Sequence, residues 1–317
     1  MSLPLLYLII GLALLTVGGS WLVKGATTLA VLARLSIPVI GLTVVAMGTS
    51  LPELAVSMWA AARGSTEMAY GNIVGSNIFN VGIVAGVASL FATLPVSRYA
   101  LRREYPFMLG VTAVAIAFSL NGSVGHIEGA AMFGGLIIFT WVAIRLARQG
   151  ELPPEVEELD GVLVSRDSTA RLLPNLGLIA VGIAALTGGA RLTVIGGVQL
   201  AELVGVSERV IGLTVLAMGT SLPEVATSLV AVARKQPELV LGNVIGSNIF
   251  NLLGILGLTG LVFPVAVNHD ALSYDNWVML AFSVALLPMM ARKKVGPVAG
   301  GLLLLLFAGY TWVLLTR

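Results

Sequence analysis

The sequence predicts an all-α integral membrane protein of ten transmembrane helices, arranged as two inverted five-helix repeats. Three observations carry that expectation. The 317 residues are 57% hydrophobic and only 11% charged, with a mean hydropathy of +0.97, whereas a soluble domain carries about 25% charged residues. The apolar residues fall into runs near the roughly 20 that a helix needs to cross the hydrocarbon layer. Residues 41–80 and 212–251 align without a gap at a constant offset of 171, with 26 of 40 positions identical.

The predicted spans are 3–23, 37–61, 69–94, 106–121, 129–147, 174–197, 210–233, 240–263, 274–291 and 296–315. Two of them, 106–121 and 274–291, are short. All are longer than the strands of a β-barrel, so the backbone must satisfy its hydrogen bonds as helix. The organisation that follows is a first repeat at 1–147, a cytoplasmic linker at 148–173 and a second repeat at 174–317. The linker's acidic run, Glu151–Asp160, reads as a solvated loop too short for a folded domain, which needs about 50 residues.

Each half holds an odd number of spans, so the second half enters the membrane from the opposite side. A pseudo-two-fold axis in the membrane plane then relates the halves, as in many secondary transporters. Of the 18 Lys and Arg residues, fourteen fall in loops on one side and only Arg63, Arg191, Arg209 and Arg317 on the other. The bias places the richer side in the cytoplasm and both termini outside. No positively charged stretch precedes the first apolar run, so no cleavable signal peptide is expected. The expected location is a cytoplasmic (inner) membrane.

Composition also narrows the chemistry. The net charge of +2 gives no footprint for nucleic acid, and the absence of cysteine removes disulfides, zinc thiolates and thiol nucleophiles. His126 and His269 each fall in a predicted loop. No nucleophile–base set or HExxH motif is present, so no enzyme and no cofactor is expected. A channel is less suited than a transporter, because channels complete their pores from rings of subunits. An inverted repeat completes a site within one chain, which makes a monomer a sufficient functional unit.

The octapeptide AMGTSLPE occurs at 46–53 and again at 217–224, both times inside an apolar run. Pro52 and Pro223 each lack an N–H and crowd the carbonyl four residues back, at Gly48 and Gly219. A helix break is therefore predicted around 47–49, freeing carbonyls near Ala46 and Ala217. At helical spacing Thr49, Ser50, Glu53 and Ser57 share one face with Ala46. The second copy repeats this with Thr220, Ser221, Glu224 and Ser228. The next spans add Asn72, Ser76, Asn77 and Asn80, then Asn243, Ser247, Asn248 and Asn251. Every group offered is oxygen or amide, a donor set that selects hard cations such as Ca²⁺, Na⁺ or Mg²⁺. Two buried glutamates cost on the order of 3 kcal/mol each in a bilayer, and a cation would offset that cost. Asn72 and Asn243, near the start of their spans, read as helix-to-helix glue. Gly71, Gly75, Gly242 and Gly246 read as close helix contacts.

The paired stretches GTSLPE…GNIVGSNIFN and GTSLPE…GNVIGSNIFN resemble the two α-repeats of the sodium/calcium exchanger family, of prokaryotic ten-helix type. The resemblance implies an antiporter that expels Ca²⁺ against inward Na⁺ by alternating access. It implies ligation by Glu53 and Glu224, Thr49, Ser50, Thr220 and Ser221, the Ala46 and Ala217 carbonyls, and Ser76, Asn80, Ser247 and Asn251. It further implies that spans 1 and 6 slide against the other eight, with Gly18, Gly19, Gly25, Gly188, Gly189 and Gly196 allowing it. Some archaeal-type relatives and the potassium-dependent branch carry aspartate where Asn251 stands, other sodium/calcium exchangers carry asparagine there, and proton-coupled relatives carry a different signature. The alternative reading is an H⁺- or K⁺-coupled exchanger of Ca²⁺ or another divalent cation.

Overall fold

The computed structural model describes residues 2–33, 35–148, 169–203 and 217–316. Of the predicted linker at 148–173, residues 149–168 lie outside the described residues and 169–173 already belong to a helix; the first residues of the seventh predicted span, 210–216, also lie outside. The chain forms α1 (Ser2–Ala33), α2 (Ile37–Thr49), α3 (Leu51–Ala62), α4 (Thr66–Phe91), α5 (Tyr105–Ser119), α6 (His126–Arg148) and α7 (Thr169–Leu203). A helical turn at Ala217–Gly219 then leads into α8 (Leu222–Ala233), α9 (Glu238–Val262), α10 (Ala271–Ala291) and α11 (Pro297–Thr316). Among the described residues seven helices are long and apolar enough to cross a membrane. An eighth crossing is counted if α2 and α3, which meet at 42°, form one broken span. The protein is therefore a multi-pass membrane protein. His126 opens α6 instead of lying in a loop, and its Nδ1 is 2.8 Å from the Leu261 carbonyl.

The architecture is not purely helical. Leu94–Pro95 pairs antiparallel with Lys294–Val295, and Ser123–Val124 with Val265–Ala266. These two-residue ladders join one half of the chain to the other where loops meet, and apolar periodicity cannot reveal pairings so short. Gly64 and Gly122 adopt positive φ, as do Lys235 and Lys293, each 171 residues later. Glycine adopts that conformation freely, whereas a side chain there is strained.

α4 and α9 are the buried centre of the bundle. The outer helices present apolar side chains outward: Val298 is 81% exposed and Leu305 71%. Arg63 stacks on Trp59 at 4.9 Å and Arg145 on Trp141 at 5.0 Å, the pairing of aromatic body and cationic tip found at membrane–water boundaries.

α1 and α7 run antiparallel in backbone contact. A Cβ added at Gly11 would lie 2.8 Å from the Gly189 carbonyl, and one at Gly18 would lie 2.8 Å from that of Gly182. Gly25 and Gly196 approach the carbonyls of Asn175 and Pro4 just as closely. Glycines at such spacing let two helices meet without intervening side chains. Two glycines singled out in the sequence do not join this seam: Gly19 faces Val230 and Thr227 of α8, and a Cβ at Gly188 meets no atom of the described residues within 4 Å. Gly11 and Gly182 join it instead.

Candidate cation site

The break in the first octapeptide falls at Ser50 (φ −86°, ψ 6°), just after the predicted 47–49, and Ser221 (φ −92°, ψ 7°) repeats it. Pro52 and Pro223 sit in the first turn of a new helix, where an N–H has no intrahelical acceptor. The prolines therefore start helices and do not kink them from inside. Glu53 and Glu224 fall in those same first turns, at the positive end of the helix dipole. The carbonyl of Ala46 accepts the Ser50 N–H at 3.1 Å and the Thr49 hydroxyl at 3.3 Å. Ala217 opens the corresponding turn.

Ser50 and Ser221 stand at N-cap positions yet cap nothing. Ser50 Oγ donates to Glu224 Oε1 at 2.9 Å, and Ser221 Oγ donates to Glu53 Oε1 at 2.8 Å. Each half thus holds the carboxylate of the other. Ser221 also lies 3.2 Å from Ser76 Oγ, which brings α4 into the same cluster. Asn80 Nδ2 donates to Asn248 Oδ1 at 3.0 Å, tying α4 to α9. Asn72 and Asn243 join helices through hydrogen bonds, as their position suggested, and they do so across the two halves. Asn72 accepts from Thr220 and donates to Ser57, while Asn243 accepts from Thr49 and donates to Ser228. Both Thr contacts cross between the halves. A lone asparagine at a span boundary carries no signal of such bridging.

Glu53, Glu224, Ser50, Ser221, Ser76, Asn80, Ser247 and Asn251 are all buried. Among the described residues, Glu53 Oε2, Glu224 Oε2, Asn80 Oδ1, Ser247 Oγ and Asn251 Oδ1 have no hydrogen-bond partner. Buried polar atoms are almost always paired, since an unpaired one costs about 1–3 kcal/mol. This surplus of buried oxygens beside two carboxylates fits hard cations as cargo. Asn80 opens a π-helical turn (Asn80–Ala85), and Asn251 lies in another (Phe250–Leu256). A π turn re-phases the side chains that follow, a device common at functional sites, and no residue type announces it.

The crossed serines give a graded prediction. Ser50→Ala and Ser221→Ala should each weaken Ca²⁺ binding about tenfold, because each removes a hydrogen bond to a charged group. Ser221→Ala should be the more severe, since it also loses Ser76. Ca²⁺-dependent thermal stabilisation reads the effect, and unchanged midpoints in both variants would contradict this geometry.

The sodium/calcium exchanger protein family matches residues 3–145 and 174–316. The chain is similar to the sodium/calcium exchanger MaX1 of Methanosarcina acetivorans, at 32% identity over 89% of each chain. It is also similar to the inner membrane protein YrbG of Escherichia coli, at 33% identity over 96% of this chain and 94% of that one. Among solved structures, the sodium-calcium exchanger NCX_Mj soaked with 2.5 mM Na⁺ and 1 mM Sr²⁺ superposes with a TM-score of 0.82. That match has 29% identity and covers 96% of both chains. With its two-copy oxygen site in a helical membrane bundle, the chain belongs to the sodium/calcium exchanger family.

Proposed function

We propose that the protein is a secondary antiporter that extrudes Ca²⁺ in exchange for Na⁺ at one central site. The observation that carries this reading is the crossed pair, Ser50 on Glu224 and Ser221 on Glu53, with the second oxygen of each glutamate left without a partner. Two carboxylates bring a charge of −2, which one Ca²⁺ or a set of Na⁺ ions would balance. Two cargoes that need the same oxygens cannot occupy them together, and that competition is the root of exchange. The ligands in this reading are Thr49, Ser50, Glu53, Ser76, Asn80, Thr220, Ser221, Glu224, Ser247 and Asn251, with the Ala46 and Ala217 carbonyls. The glycine-lined pair α1–α7 would move against the remaining helices to alternate access.

Three facts support ten spans in two inverted repeats. The family match falls on two stretches whose limits differ by 171 residues. The two short ladders pair segments of opposite halves. The α1–α7 contacts are reciprocal, Gly11 meeting Gly189 as Gly18 meets Gly182. The proposed location is a prokaryotic cytoplasmic membrane with both termini outside.

Radiolabelled Ca²⁺ uptake into proteoliposomes loaded with Na⁺, K⁺ or acid tests the exchange. Uptake should require internal Na⁺; uptake driven by a pH gradient and indifferent to Na⁺ would replace sodium by protons as the coupling ion. For topology, the chain has no native cysteine, so single substitutions report cleanly. An impermeant maleimide applied to intact cells should label Arg63→Cys and spare Arg102→Cys until the membrane is opened. The reverse pattern would overturn the orientation.

A further inference from the structure

A cavity of about 690 Å³ lies between α5 and α6, bounded on its inner side by Leu42 and Leu253. Its lining is apolar except at one end, where Tyr99, Arg103 and Glu104 contribute. The wall includes Ile138 (64% exposed) and Val114 (44% exposed), side chains on the lipid-facing surface, so the cavity is reached from the bilayer side. Glu104 is 4% exposed, and its Oε1 has no hydrogen-bond partner among the described residues.

The second half shows what Glu104 lacks. Asp275, 171 residues later, accepts a hydrogen bond from Tyr310 Oη at 3.4 Å. The residue that corresponds to Tyr310 is Phe139, which carries no hydroxyl and stacks on Phe107 at 4.6 Å. Glu104 is thus a buried acid in an apolar wall beside open space. A metal ion does not fit there, because Ca²⁺ takes six to eight oxygen ligands and this lining offers only Glu104 and Tyr99 as side-chain oxygens. A hydrogen-bonding cation on an apolar chain does fit. Arg103, whose guanidinium lies over the Tyr99 ring at 5.5 Å, sets positive charge at the same end, as a phosphate beside that cation would require.

We propose that this cavity binds a phospholipid with a primary ammonium headgroup, its acyl chain between α5 and α6 and its ammonium on the Glu104 carboxylate. Such a lipid would pack behind the cation site. Leu42 belongs to the π turn Gly41–Val45 that leads into the first octapeptide, and Leu253 to the turn that carries Asn251.

The test uses purified protein in nanodiscs of equimolar dioleoyl-phosphatidylethanolamine and dioleoyl-phosphatidylcholine, with retained lipid read by native mass spectrometry. The quaternary ammonium of phosphatidylcholine has no N–H to donate. The wild-type chain should therefore retain the ethanolamine lipid over the choline lipid by about fivefold, and Glu104→Gln should erase the preference. Gly110 lines the cavity, and a Cβ there meets no atom within 4 Å. Gly110→Phe should accordingly fill the space and lower retention of both lipids without disturbing the fold. Equal retention of the two lipids by the wild type, or a preference that survives Glu104→Gln, would overturn the proposal. Lipid retention is read without ion transport, so its failure and that of the exchange reading are separable.

Discussion

Replacing Glu53 or Glu224 by glutamine is expected to lower Ca²⁺ uptake by about two orders of magnitude or more, the usual cost of removing one member of a buried charge pair. The fold should survive. Without a cation, each glutamate keeps one oxygen on a serine of the other half and leaves the second oxygen buried without a partner. Glutamine has the same shape and removes the charge, so the melting temperature without Ca²⁺ should not fall. Bound Ca²⁺ should stabilise the wild type by mass action, and that increment should vanish in both variants. Two measurements therefore separate lost binding from lost structure: proteoliposome uptake, and thermal melts with and without Ca²⁺. Uptake retained in either variant would place the cation elsewhere.

Gly246→Ala is expected to be damaging although it adds one methyl group. A Cβ at Gly246 would collide with the Leu42 carbonyl oxygen and lie 2.7 Å from the Leu42 Cα. Both are backbone atoms, so no side chain can rotate away and α9 must shift off α2. Overpacking of this kind costs about 1–3 kcal/mol, and α9 carries Ser247 and Asn251. Transport should drop about tenfold or more, with a lower melting temperature. Gly309→Ala provides the contrast. It lies in α11 with no atom within 4 Å of an added Cβ, and alanine should stabilise that helix by about 0.5–1 kcal/mol. Equal tolerance of both substitutions would show that the α2–α9 approach is not needed.

The close-contact reading of the glycines holds for Gly242 and Gly246, which meet the backbone of α2 at Pro38 and Leu42. A Cβ at Gly71 or Gly75 meets no described atom within 4 Å, and positions 209 and 213, which correspond to Pro38 and Leu42, lie outside the described residues. The break at the octapeptide was legible to within a residue or so, because proline and glycine act through local backbone sterics. Its consequence was not. The sequence suggests that the prolines free carbonyls near Ala46, whereas the Ala46 carbonyl itself holds two donors.

The sequence by itself determined the membrane class, the duplication and the oxygen-rich faces that carry Glu53 and Glu224. Each follows from properties of single segments: hydropathy, helical spacing and identity at a fixed offset. Only the tertiary structure decided that Ser50 serves Glu224 and Ser221 serves Glu53, that Asn72 and Asn243 bridge to the threonines of the other half, and that α1 and α7 meet through Gly11, Gly18, Gly182 and Gly189. These are contacts between residues 148 to 194 positions apart. Periodicity along a chain says which face of a helix is polar, but not which distant face packs against it.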